Sequence, residues 1–134
     1  MNKCFSFKKL FLVVLLLVLS IFTVTACTSN ASEPNANYQL FPTQNYWTFL
    51  KLDTRNGKIT QVHFSVNENG TRGELDLNTI PLVDASQEQK GRFILYPTNN
   101  MYNFLLLDQI NGRTWQVQWS FDELNRGIIG EIQK

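Results

Sequence analysis

The chain carries almost nothing that redox or metal chemistry could use. Its 134 residues include two cysteines, Cys4 and Cys27, and a single histidine, His63. A zinc site takes three or four protein ligands and a disulfide takes two thiols, so neither is expected in the residues that follow Cys27. An excess of charge is missing too: 12 basic against 11 acidic residues leave a formal +1. That balance offers no field to nucleic acid or to polycations. No nucleophile elbow, phosphate loop, dinucleotide fingerprint or zinc-binding helix is present, and no cofactor is implied. After residue 27 no stretch has an apolar period of 3.6 residues, so long helices are not expected.

What is present begins with an address. Lys3, Lys8 and Lys9 precede an apolar run from Leu10 to Val24, broken only by Ser20 and Thr23. The run is short for a membrane span and suits the core of an export signal. It ends in Val24-Thr25-Ala26-Cys27. There the segment resembles a bacterial lipoprotein signal peptide, in which small residues precede an invariant cysteine. The resemblance implies cleavage after residue 26, acylation of Cys27 with palmitate-type chains, and a place in the bacterial cell envelope, outside the cytoplasm. Each buried CH₂ adds about 0.8 kcal/mol, so two or three chains hold a small domain on a membrane. Cleavage would remove three of the 12 basic residues and no acid, turning the net charge to −2. Residues 27–37 then form the lipidated cysteine and a polar, flexible tether.

The rest of the chain is written twice. Leu40 to Glu68 returns, shifted by 55 positions and without a gap, as Leu95 to Glu123, with 14 of 29 positions identical. Composition alone would give about two or three. Each copy contains an Asn-Gly pair, Asn56-Gly57 and Asn111-Gly112, a strong hairpin signal because glycine accepts positive φ and asparagine tolerates it. Pairing Asp53 with Lys58 across the first turn sets Phe49 opposite Val62, Trp47 opposite Phe64 and Lys51 opposite Thr60. The same register in the second copy sets Phe104 opposite Val117, Tyr102 opposite Trp119 and Leu106 opposite Trp115. One side of each hairpin is then rich in aromatics. The other carries Leu50, Leu52 and Gln61 in one copy, and Leu105, Leu107, Gln116 and Gln118 in the other.

These patterns predict an all-β domain over 38–134: a four-strand meander in 38–77, a connection in 78–91 and a second meander in 92–134. Eight short strands should form a small sandwich or barrel. The two aromatic sides are expected to pack on each other about a pseudo-twofold axis. That leaves the leucine stripes to be covered by flanking strands or the connection, or to serve as a contact surface made of Leu50, Leu52, Leu105 and Leu107.

Candidates for chemistry are few. Asp53 and Asp108 precede the two turns, where a carboxylate accepts backbone N–H bonds. Together with Asn56, Gly57, Asn111 and Gly112 they are read as turn formers, and an exposed ion pair with Lys58 or Arg113 is expected at each hairpin neck. Cast as a hydrolytic pair, the same acids would suit glycoside cleavage. His63 is expected as a surface histidine with its hydrogen bonds satisfied, with Ser65 about 6.5–7 Å away along the strand and out of hydrogen-bond reach. The repeated Pro-Thr-x-Asn segments at 42–45 and 97–100 suit turns or a small polar patch. Three readings follow: a lipid-anchored, non-catalytic protein that binds a protein partner or itself; a carbohydrate or small-ligand module using Tyr38, Tyr46 or Tyr96 as stacking platforms; and a hydrolase using Asp53 or Asp108.

Overall fold

The computed structural model describes residues 35–133. The leader, Cys27 and the tether up to residue 34 lie outside the described residues. Eight strands run in order: β1 Tyr38–Pro42, β2 Thr48–Asp53, β3 Ile59–His63, β4 Gly73–Asn78, β5 Phe93–Pro97, β6 Asn103–Asp108, β7 Thr114–Gln118 and β8 Gly127–Glu131. Two short 3₁₀ turns, Ala85–Gln87 and Glu123–Asn125, are the only helical pieces among the described residues. Each copy is one antiparallel sheet, ordered β1-β2-β3-β4 and β5-β6-β7-β8. The sheets face each other as a sandwich and do not close into a barrel.

Local chemistry accounts for the hairpins. Gly57 and Gly112 sit at φ 80° and 74°, a region closed to most side chains. Asp53 N donates to Lys58 O at 2.8 Å and Asp108 N to Arg113 O at 2.9 Å, closing the two loops at the expected residues. Phe49 then lies opposite Val62 and Lys51 opposite Thr60, while Phe104 lies opposite Val117 and Leu106 opposite Trp115. A bulge follows in each copy. It falls between Ile59 and Thr60 in the first and between Gln116 and Val117 in the second, and it is where the outer strand carries an extra residue.

The packing sense differs from the twofold expectation. In the second sheet the aromatic side is inside: Phe93, Leu95, Phe104, Leu106, Trp115, Val117 and Trp119 are buried. In the first sheet the other side is inside, and the buried set is Leu50, Leu52, Ile59, Leu77, Thr48 and Gln61. The apolar members of both sets form one core. The copies therefore stack in the same sense, leucine side of the first on aromatic side of the second. Three positions explain this. Where the second copy has Leu106, Trp115 and Ile128, the first has Lys51, Thr60 and Glu74, and Lys51 bridges Glu74, which also accepts from Thr60 Oγ1 at 3.0 Å. Burying that cluster would strip water from two charges, at a cost of several kcal/mol per ion. Full burial of a leucine contributes about 1.5–3 kcal/mol instead.

Polar ties fix the stack. The Gln61 amide, fully buried, donates through Nε2 to Ser120 O at 3.1 Å and accepts through Oε1 from Ser120 N at 3.2 Å. Arg126 Nε donates to Asp76 O at 2.9 Å, joining the outer strands. The first hairpin turn is clasped as well: Phe93 N donates to Thr54 O and Leu82 N to Asn56 O, each at 2.8 Å.

Candidate functional site

The two turn acids are engaged by arginines. Asp53 Oδ1 accepts from the backbone N of Arg55 at 3.0 Å and from its Nε at 2.9 Å, and Oδ2 accepts from Nη2 at 2.7 Å. Asp108 is fully buried, takes Arg92 Nε at 3.0 Å on both oxygens and Nη2 at 2.8 Å, and accepts from Ile110 N at 2.9 Å. Burial alone would raise both pKa values. The arginine hydrogen bonds and charge outweigh it and hold both carboxyls below the usual aspartate range. Glycoside cleavage needs one acid with a raised pKa as proton donor. Neither group has that character.

The expected neck pairs with Lys58 and Arg113 are replaced. Each acid turns into its own loop to meet the backbone N–H two residues on, which aims it away from the residue across the neck. Arg113 bonds Glu131 instead, with Nε at 2.9 Å from Oε1, and its guanidinium lies 4.8 Å from the centroid of the Trp115 ring. Asn56 Oδ1 accepts from Lys58 N at 3.1 Å and Asn111 Oδ1 from Arg113 N at 3.0 Å, so both asparagines close their turns.

His63 is satisfied, as expected, but half-buried, because Phe121 of the other copy stacks on its ring at 4.9 Å. Its Nε2 lies 2.9 Å from Gln61 Nε2 and its Nδ1 3.2 Å from Thr48 Oγ1. An amide nitrogen can only donate, so the network assigns a neutral ring with the proton on Nδ1. Burial, aided by the nearby Arg126 charge, lowers its pKa in agreement. Ser65 Oγ accepts from Asn67 N at 3.1 Å and serves its loop.

The Pro-Thr-x-Asn loops also close on themselves. Thr43 Oγ1 donates to Thr48 O at 2.8 Å and Asn45 Oδ1 accepts from Trp47 N at 2.9 Å. Thr98 and Asn100 repeat this with Asn103 O and Tyr102 N at 2.9 and 3.0 Å. Together they border a hollow of about 110 Å³, smaller than the roughly 300 Å³ at which ligand pockets begin.

Two features remain open. The first is a groove of about 650 Å³ under the loop that joins β3 to β4, walled by Trp47, Phe64, His63 and Phe121, with Asn45 and Arg72 at its rim. Trp47 and Phe64 meet edge to face at 5.5 Å. Arg72 Nη2 donates to Asn67 O at 3.0 Å and holds the loop in place. The exposed Tyr38, Tyr46 and Tyr96 lie outside this groove. Its walls come from three stretches distant in sequence, the β1–β2 loop, residues 63–75 and Phe121, so no local pattern points to it.

The second feature is the pair of outer sheet faces. The aromatic side of the first sheet presents Leu40 at 56 %, Trp47 at 48 % and Phe64 at 39 % exposure, beside half-buried Phe49 and Val62. The leucine side of the second sheet presents Leu105 at 36 % and Tyr96 at 47 %, beside half-buried Ile94 and Leu107. Of the stripe considered as a contact surface, Leu105 and Leu107 thus face outward. Leu50 and Leu52 do not: they are fully buried against the second sheet.

Among the described residues no helix is long and apolar enough to cross a membrane, and no group of three or more His, Cys, Asp or Glu is placed to hold a metal. The chain matches no protein-family model, no curated protein and no solved structure.

Proposed function

We propose that this chain is a lipid-anchored, non-catalytic protein of the bacterial cell envelope whose β domain binds a protein partner through its outer sheet faces. The observation that carries the reading is the uncovered apolar surface at Leu40, Phe49, Val62 and Phe64, and at Leu105 and Leu107 opposite. Such surfaces on a small domain mark interaction sites. The anchor at Cys27 rests on the leader pattern and keeps the faces at the membrane. The test is site-specific photocrosslinking from positions 40 and 105 in intact cells, with the exposed Lys90 position as control. Crosslinks to one defined protein from 40 or 105, absent from 90, support the reading; no crosslink from either face overturns it. The anchor is tested separately, by loss of palmitate labelling in Cys27→Ala.

A second reading is favoured by the groove. Its volume and aromatic walls suit a small ligand such as a sugar ring stacked on Trp47. Saturable quenching of tryptophan fluorescence by glycans, lost in Trp47→Ala, would support it.

A further inference from the structure

The repeat supplies both halves of one interface, and the fold uses each half once. On the aromatic side, Leu40, Phe49 and Val62 of the first copy match Leu95, Phe104 and Val117 of the second, residue for residue. The second set is buried between the sheets, and the first set is open or half-buried. On the leucine side, Leu50, Leu52 and Gln61 match Leu105, Leu107 and Gln116. Here the first set is fully buried, while Leu105 and Gln116 are exposed and Leu107 is half-buried. Six side chains that make the internal contact therefore recur, unchanged, on two outward faces.

Because the copies stack in the same sense, those faces are not alike. They are partners. The open aromatic side is built like the surface that receives a leucine side, and the open leucine side is built like the surface that is received. A twofold dimer would put like on like and match neither. A head-to-tail contact matches both at these six positions.

We propose that the partner is a second copy of this chain, joined head to tail, with the leucine side of one molecule seated on the aromatic side of the next. This rests on the protein-binding reading above and names its partner. Lys51, Thr60 and Glu74 stand where Leu106, Trp115 and Ile128 complete the internal contact, so only part of the sheet face is apolar. The contact is accordingly less apolar than the internal one.

The experiment uses the full chain in mild detergent, with mass read by sedimentation across a concentration series. Leu40→Glu blocks the aromatic side and Leu105→Glu the leucine side. Both positions are exposed, and unchanged circular dichroism checks that each variant is folded. The wild type is expected to form species beyond a dimer. Each variant alone should lose association by roughly tenfold or more, as an uncompensated buried charge demands. An equimolar mixture of the two should recover dimers and nothing larger, since one intact side of each kind remains. That recovery is particular to a head-to-tail contact. A wild type that stays monomeric, variants that still self-associate, or a mixture that does not recover dimers would each overturn the proposal. A monomeric wild type that crosslinks in cells to a different protein would sink the self-stacking alone and leave the broader binding reading standing.

Discussion

Gln61 holds the backbone of Ser120 from across the sandwich, donating to its carbonyl at 3.1 Å and accepting from its N–H at 3.2 Å. Its counterpart in the second copy, Gln116, is exposed and donates only to Asn103 Oδ1, at 3.1 Å. Leucine at position 61 would leave both Ser120 groups without that partner, at a cost of about 1–3 kcal/mol. The same change at Gln116 should stay within about 0.5 kcal/mol. Urea unfolding of the two variants checks the contrast, and equal losses would mean the stack is not held this way.

The acids before the turns should also part company. Asp108 and Arg92 are both buried. Asp108→Asn leaves a buried guanidinium without its counter-charge and is expected to cost about 3 kcal/mol. Asp53 pairs with Arg55, which is partly exposed, so Asp53→Asn should cost about 1 kcal/mol. Thermal denaturation decides. A hydrolase would instead keep its stability and lose an activity on either change.

Gly57 and Gly112 share a positive φ but not their surroundings. A methyl at Gly57 would come within 2.8 Å of Leu82 Cδ1, while none is crowded at Gly112. Gly112→Ala carries only the backbone penalty of about 1–2 kcal/mol. Gly57→Ala adds the displacement of Leu82 and should exceed it clearly in the same unfolding assay.

His63 gives the domain a pH dependence in the mildly acidic range. Its folded-state pKa lies below the ordinary 6.5, so the folded state disfavours the charged ring. The unfolded chain then takes up the proton first as pH falls. Stability contributed by neutral His63 is fully present above about pH 6.5 and is lost as pH drops through the folded value. His63→Gln, the residue that the second copy has at position 118, should flatten unfolding free energy as pH falls below about 6.5. A slope unchanged in the variant would remove His63 as its source.

Much of this was readable in the residues. Asn-Gly pairs and a two-residue alternation are local signals, and they defined the hairpins, their register and the eight strands. The turn acids were legible as turn formers, but their guanidinium partners were not. Arg55 has Ile110 as its counterpart and Arg92 has Asn37, so the duplication itself hides where each charge is met. The groove was not legible either, because its walls meet only when the β1–β2 loop, the β3–β4 loop with its flanking strand ends and the segment after β7 converge.

By itself, the sequence determined that two near-identical meanders would form, because turn geometry and side-chain alternation act over a few residues. Only the tertiary structure decided which side of each meander went inside. That choice depends on what each side must shed to be buried. Lys51 and Glu74, two charges set among aromatics, kept one copy's aromatic side in water while the other's, with Leu106 and Ile128 in their place, could close over leucines.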